Sequence, residues 1–308
     1  MASLYSAASK GKRKATDEVE QNGSATTTTI RNKQRVLILP SRGVTMRMRH
    51  LVNDLESLLP HSKKDSKLDS KSNLHILNEL AELNNCNNTL YFEARKHEDL
   101  YLWASKTPNG PSVKFHVQNI HTMDELKMQG NCLKGSRPLL SFDASFDQRP
   151  HLGLIKELFT QMFGVPRMAR KSKPFIDHVI SFSVLDNKVW FRHYQIIEKG
   201  SAAAEKASSA NGSNKKGSST EDQKPTLVEI GPRMVLTPIR IFEGSFGGAT
   251  VYENPEYISP NMTRHLTRRK QGEEYKDRTN AQFKSEAKRQ KLVRDAKPDE
   301  LSRQNVFG

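Results

Sequence analysis

The sequence predicts an α/β fold built from two similar α/β halves, and three observations carry that expectation. Arg35–Pro60 reads as a buried strand, a tight loop and an amphipathic helix. The stretch from Leu139 to Pro166 reads the same way, with Leu51 and Leu154 opening corresponding helix segments about 103 residues apart. Each unit is then followed by a basic loop and further strands. The spacing is too long for a solenoid repeat. An internal duplication accounts for it, with chance likeness of two α/β units as the alternative.

In the first half, Val36-Leu37-Ile38-Leu39 is a short apolar run ended by Pro40, as suits a strand covered on both faces. Pro40-Ser41-Arg42-Gly43 is turn chemistry, and Thr45 is placed to cap the next helix. Leu51, Val52, Leu55, Leu58 and Leu59 share one face of a 3.6-residue period, and Pro60 stops it. Residues 61–73 read as a mobile basic loop carrying Lys63, Lys64, Lys67 and Lys71. Leu74–Leu83 is a short helix with Leu74, Leu77 and either Leu80 or Leu83 inward. Thr89–Ala94 is a strand, Glu98–Trp103 a helical turn or two with Leu100 and Trp103 as core candidates, and Pro108–Pro111 a turn. Alternating Val113, Phe115 and Val117 make Ser112–Val117 a half-buried strand.

In the second half, Gly130–Pro138 is a loop and Leu139–Phe142 a strand. His151–Phe163 is a helix with Leu154, Ile155, Leu158, Phe159 and Met162 on one face, ended by Gly164 and Pro166. Arg167, Arg170, Lys171 and Lys173 form a second basic loop. His178–Leu185 and Val189–Ile197 form a hairpin about Asp186-Asn187. Lys199–Lys224, rich in Gly, Ser, Ala and Lys, is a flexible linker that interrupts a sheet. Strands Leu227–Ile230 and Met234–Phe242 flank Gly231-Pro232-Arg233, and Pro238 puts the second on an edge or at a bulge. The expected organisation is therefore a disordered basic tail at 1–34, a domain at 35–260 with halves of about 35–120 and 137–260, and a basic tail at 261–308. From Met262 onward 13 cations face seven anions, so that tail is expected to be helical only in pieces.

Charge narrows the partner class. The 308 residues carry 49 Lys and Arg against 34 Asp and Glu, a net charge of +15 with a pI near 9.7. A polyanion is the expected partner, nucleic acid first, an acidic protein or anionic membrane second. Mean hydropathy is −0.70 with 35% hydrophobic residues, so part of the chain is expected to stay unpacked. No apolar run approaches the roughly 18 residues of a membrane span, and no signal-peptide core is evident. With only Cys86 and Cys132, neither a cysteine-based zinc site nor a disulfide framework is expected, which fits the cytosol or nucleus. The basic cluster Lys10–Lys14 is a weak nuclear import signal.

Arg42, Arg47 and Arg49 stand at the start of the first helix. Cations there cost about 0.3–1 kcal/mol each against the helix dipole, while its free N–H groups favour an anion. A bound polyanion explains such a cluster; a solvated basic loop is the alternative. Catalytic motifs are absent. Gly244–Thr250 is glycine-rich but lacks the Lys-Ser/Thr of a phosphate-binding loop and reads as a turn cluster. His116 and His121 are five apart with no third metal ligand in view. Asp143 and Asp147 read as terminators of the strand-to-helix junction, and no Ser or Cys sits in a nucleophile motif. No cofactor or small-molecule substrate is expected.

Four segments carry a family resemblance: Pro40-Ser41-Arg42; HTMDELKMQGNCLKGSRPLLSFDASFD from His121; LIKELFTQMFGVP from Leu154; and EIGPRMVLTPIRIFEGSFGGATVYENP from Glu229. Through them, over about Arg35–Pro260, the chain resembles the Brix-domain proteins of ribosome biogenesis, and within them a large-subunit (60S) assembly factor. The resemblance implies two pseudo-twofold-related halves, each similar to the anticodon-binding domain of class II aminoacyl-tRNA synthetases. It implies a non-enzymatic, nucleolar protein that binds pre-ribosomal RNA. It also implies partners: the nucleolar EBNA-binding protein and other pre-60S assembly factors. Gly231-Pro232-Arg233 matches a family element likened to a bacterial sigma factor and proposed to bind RNA. The expected RNA contacts are Arg42, Arg47, Arg49, Lys63, Lys64, Arg167, Arg170, Lys171, Gly231, Pro232 and Arg233. A scaffold that meets only proteins is the alternative.

Overall fold

The computed structural model describes residues 34–69, 73–125, 130–166, 169, 171–197, 225–295, 301 and 303–308. The expected N-terminal tail up to residue 33 and the linker at 199–224 lie outside the described residues. So do Lys71, Arg167 and Arg170. In the first half, β1 (Val36–Pro40) leads into α1 (Met46–Leu58), then β2 (Ser62–Lys64) and α2 (Ile76–Leu83). Three long strands follow: β3 (Asn88–Arg95), β4 (Asp99–Lys106) and β5 (Ser112–His121). The second half runs β6 (Pro138–Phe142), a 3₁₀ turn at Ala144–Asp147, α3 (Pro150–Phe163), β7 (His178–Leu185) and β8 (Lys188–Ile197). After the linker come β9 (Thr226–Glu229), β10 (Arg233–Phe242), β11 (Thr250–Glu253), and the helices α4 (Pro260–Asp295) and α5 (Arg303–Phe307).

All the strands join one sheet in the order β2-β1-β3-β4-β5-β10-β8-β7-β6, with β11 beside β10 and β9 beside β8. The order is palindromic in its partnerships. β1 lies parallel to β3, which continues antiparallel through β4 and β5. β6 lies parallel to β7, which continues antiparallel through β8 and β10. The antiparallel β5–β10 pair joins the two series, so a pseudo-twofold passes between them.

One continuous apolar core lies under α1 and α3. Met48, Leu51, Val52 and Leu55 of α1 join Leu152, Ile155, Leu158, Phe159, Met162 and Phe163 of α3 against the inward side chains of both series of strands. The expected face of α1 is the buried one. On α3 Leu152 is buried and Leu154 only partly so, because the helix starts at Pro150, where proline's fixed φ suits the first helical position. Thr45 occupies the N-cap of α1, but its hydroxyl makes no capping bond. A second cluster lies on the other face of the sheet, where α2 packs Leu77 and Ala81 against Leu37, Leu39, Tyr91 and Trp103. Leu80 is the partly buried residue there and Leu83 is exposed, which resolves the inward face of α2.

Three expectations are corrected. Asp99–Lys106 is a strand, not a helical turn: Leu100, Leu102 and Ala104 face one core and Trp103 the other, so burial on both faces erases the alternation that marks a half-exposed strand. Residues 62–64 form a parallel edge strand on β1 instead of a mobile loop. The segment after it is stitched down, with the Asp65 N–H donating to the Ile38 carbonyl and the Leu68 N–H to the Pro40 carbonyl. Finally, Pro260–Asp295 is one helix of 36 residues, not pieces. It holds no proline after Pro260 and a single glycine, and most of its residues are good helix formers. Arg269–Glu273 adds an i,i+4 ion pair.

Pro238 lies in the sheet interior but at a bulge. The β10–β5 register shifts between Pro238 and Arg240, and the other side of β10 changes partner from β8 to β11 there. The missing N–H therefore falls where no ladder bond is needed. The Gly244–Thr250 turn cluster closes the second core: Phe246 enters it, and the Ser245 hydroxyl lies 2.7 Å from both Ser105 Oγ and Asn78 Oδ1.

Candidate nucleic-acid interface

The expected basic residues fall at three places. The first is the N-terminal end of α1. Arg42 is exposed and paired with Asp69, and Arg47 pairs with Glu125 at 3.0 Å. Beside them His50 Nδ1 lies 2.7 Å from Asp124, and Asp54 accepts the Met123 N–H at 3.0 Å. Burial raises the Asp54 pKa against that bond. This end of α1 thus holds down the segment after β5, and its cations are partly neutralised. Arg49 is exposed and has no ion-pair partner among the described residues. It is the cation of this cluster left for an external anion.

The second place is the other end of α1. Lys63 Nζ donates to the Asn84 carbonyl and Lys64 Nζ to Asn53 Oδ1, each at 2.6 Å, with Glu56 3.4 Å from Lys64. Asn53 and Glu56 line a cleft of about 360 Å³ whose far wall is Lys134, Gly135 and Lys171. The cleft brings a basic edge of the first half to the basic loop of the second. Lys134 was not among the expected contacts. It sits in the 130–138 loop, and nothing in one sequence pairs that loop with α1.

The third place is the turn into β10. Gly231 has φ +86°, the left-handed region that favours glycine. Gly231 and Pro232 are buried, and the Gly231 carbonyl accepts a 2.7 Å bond from His193 Nδ1. The turn therefore presents Arg233 and not its own two residues. Arg233 is half-buried, 3.7 Å from Glu229, and opens onto a cavity of about 260 Å³ lined by Asn119, His121, Trp190, Arg192 and Val235 among others. The Arg192 guanidinium lies 5.7 Å from the Trp190 ring centre. Trp190 Nε1 and His121 Nδ1 are buried without a hydrogen-bond partner. Trp190, Arg192 and Tyr194 alternate with the core-facing Val189, Phe191 and His193, so they share the face opposite α3. Among the described residues no helix covers that face in the second half. The alternation Trp-x-Arg-x-Tyr was the legible signal for this group, and it was read only as a strand.

The helix α4 supplies a fourth cationic element. No residue of it is buried. Arg264 fixes its start to the body, with ion pairs to Asp99 at 2.6 Å and Glu98 at 2.9 Å. His116 packs against Tyr101, with ring centres 5.3 Å apart. Among the described residues the Cys and His side chains that converge are Cys132, His178 and His193.

The sequence places the chain in a family. A model of the Brix domain matches residues 41–240. The chain belongs to the Brix-domain family. It is 52% identical over 307 residues to the Saccharomyces cerevisiae ribosome biogenesis protein BRX1, a match spanning all of both chains. It is 53% identical over 248 residues to the human BRX1 homolog, covering 80% of this chain and 64% of that one. Among solved structures, a probable ribosomal biogenesis protein from Aeropyrum pernix is similar over 66% of this chain and 96% of its own, with 15% identity and a TM-score of 0.41. The Brix match ends two residues before the end of β10, so β11 and α4 lie beyond it.

Proposed function

We propose that this Brix-domain protein is a non-enzymatic assembly factor of the large ribosomal subunit, acting in the nucleolus on pre-ribosomal RNA. The relatives named for ribosome biogenesis and the net charge of +15 support the setting. The observation that carries RNA contact is the uncovered face about Arg233. It offers a tryptophan ring, a guanidinium near that ring and a second arginine, the parts that stack a base and hold its phosphate. Arg49, the lysines flanking the α1 cleft and α4 then position the RNA through phosphates without reading sequence. Arg167 and Arg170, which lie outside the described residues, are proposed contacts of the same kind. The domain is taken as residues 35–260, with the tails at 1–34 and 261–308 as accessory binding segments.

The partner reading has its own support. β6 is an edge strand, and Leu139, Phe175, Ile176 and Leu185 stand exposed along that side. An extended peptide adding to β6 would cover them. The nucleolar EBNA-binding protein and other pre-60S factors are the partners this reading expects. In-cell crosslinking separates RNA contact from a scaffold role. Adducts concentrated in one rRNA region and mapping to Trp190, Arg192 or Arg233 support the RNA reading. Protein adducts alone overturn it.

A further inference from the structure

Three side chains from separate parts of the second half meet at the end of its sheet. Cys132 lies in the loop before β6, His178 opens β7 and His193 lies in β8. Their ligand atoms are all within 4.8 Å of one another. His178 is 1% exposed and His193 0%, with ring centres 4.9 Å apart.

The hydrogen bonds on the far side of each ring fix which nitrogen is bare. His193 Nδ1 faces the Gly231 carbonyl at 2.7 Å, and a carbonyl only accepts, so Nδ1 carries the proton. His178 Nδ1 lies 2.6 Å from an Asp177 carboxylate oxygen and 3.1 Å from Ser136 Oγ, so it also donates. In a neutral imidazole that leaves Nε2 as a lone pair on both rings. Both Nε2 atoms are buried and have no hydrogen-bond partner. Two buried acceptors in neighbouring rings, with nothing to accept from, are a costly arrangement for a protein interior. Carboxylate or carbonyl behind the ring and bare Nε2 in front is the support found behind metal-binding histidines.

We propose that Cys132 Sγ, His178 Nε2 and His193 Nε2 are three ligands of a divalent transition-metal site, with zinc the ion that best suits one thiolate and two imidazoles. Zinc–ligand bonds of about 2.0–2.3 Å place ligand atoms roughly 3.3–3.8 Å apart in a tetrahedron. The three side chains therefore close by about an ångström onto the ion. Asp177 stays in the supporting layer, since its other oxygen accepts the Leu133 N–H at 2.6 Å. A water completes the four-coordinate set. Binding the ion displaces the Cys132 thiol proton, because the thiolate is the ligand. The ion would clasp the 130–137 loop to β7 and β8. Through His193 it would also fix the Gly231 turn that presents Arg233.

The test uses the untagged full-length chain, stripped with a chelator and titrated with Co²⁺, then Zn²⁺. One equivalent of Co²⁺ should give tetrahedral d–d bands and a thiolate-to-cobalt charge-transfer band, and Zn²⁺ should displace it. Cys132→Ser should remove the charge-transfer band and weaken zinc binding at least tenfold, while Cys86→Ser leaves both unchanged. Absence of the band from the parent, or its survival in Cys132→Ser, overturns the proposal. Alkylation of the parent gives a readout that needs no variant. Stoichiometric Zn²⁺ should slow labelling of Cys132 at least tenfold, and an unchanged rate also overturns the site.

Discussion

The two halves share a core order, β1-α1-β3-β4-β5 in the first and β6-α3-β7-β8-β10 in the second, but differ in how they are covered. In the first half α1 lies on one face of the sheet and α2, with the Phe246 turn, on the other. β3 and β4 are accordingly buried along nearly their whole length. In the second half α3 covers one face, and the described residues place no helix on the other. β7 and the first part of β8 alternate buried and partly exposed residues. A duplicated fold has thus kept one half as a two-sided scaffold and left the other with a face to present. Burial on both sides leaves the first half's sheet no open face, whereas among the described residues Trp190 and Arg192 stand partly exposed on the side of the second half that no helix covers.

The sharpest break of that comparison uses its two tryptophans. Trp103 is 6% exposed, stacks on Phe242 and donates its indole N–H to Glu93 at 3.0 Å. Trp103→Ala should destabilise by about 3–5 kcal/mol. Trp190 lies on the open face, so Trp190→Ala should cost about 1 kcal/mol or less, yet weaken binding of single-stranded pre-rRNA by about 1–3 kcal/mol. Urea denaturation and RNA titration of both variants check the pair. Equal loss of stability would mean that the second half is covered too.

The shared core gives the complementary expectation. Leu55 on α1 and Leu158 on α3 are 1% and 3% exposed in the same cluster. Leu55→Ala and Leu158→Ala should each cost about 2–5 kcal/mol. A single unfolding transition should be kept in both, because the core is continuous across the pseudo-twofold. Two separated transitions in calorimetry would show halves that melt apart.

The coverage difference also decided what the sequence revealed. β7 and β8 are legible because one-sided burial writes a period of two, and β5 because Lys114 and His116 alternate with Val113, Phe115 and Val117 even though His116 is itself buried. β4 was misread because Leu100-Tyr101-Leu102-Trp103-Ala104 is apolar on both sides and carries no period. The core-facing helices α1 and α3 were legible from their stripes. α4 was misjudged because its helix rests on propensity and local ion pairs, not on an apolar face. Among the expected contacts, Arg42 and Arg47 could be seen as charges, but their partners Asp69 and Glu125 come from other segments. The Cys132, His178 and His193 group was illegible for the same reason: its members are 46 and 15 residues apart, a spacing no local ligand pattern has.

His61 joins the halves from another side. Its Nε2 donates to the Met162 carbonyl of α3 at 3.0 Å, and burial lowers its pKa from 6.5 to about 4. The unfolded chain then binds a proton between those values that the folded one refuses. Its contribution is present above about pH 6.5 and is lost as pH falls toward 4, on the order of 3 kcal/mol at most. Replacing it by His61→Gln should flatten the acid limb of stability between pH 6.5 and 4. An unchanged limb in denaturation curves over that range would show that His61 is solvated in the native state.

A smaller effect separates Arg47 from Arg49. Arg49 has no ion-pair partner among the described residues, so Arg49→Gln should reduce the salt slope of RNA binding by about 0.7–0.9 and leave the melting temperature unchanged. Arg47 is shared with Glu125, so Arg47→Gln should alter the slope less and cost up to about 1 kcal/mol of stability. Titrations with a pre-rRNA fragment at several salt concentrations, alongside melts, distinguish them. The reverse ranking would make Arg47 the phosphate contact and Glu125 its displaceable partner.

The smallest effect on stability is expected from the longest helix. At 36 residues α4 reaches about 54 Å, but no residue of it is buried, and its start is tied to the body through Arg264. Removing 268–308 keeps that anchor and deletes only exposed surface, so folding stability should change by no more than about 0.5 kcal/mol. Circular dichroism should nevertheless lose much of its helical signal, because α4 is more than twice as long as α1 or α3. RNA affinity should fall together with its salt slope, since the deleted segment is rich in Lys and Arg and makes no packing contribution. A large drop in melting temperature would show that α4 packs on the uncovered face of the second half. That would remove the difference between the halves on which the RNA reading depends.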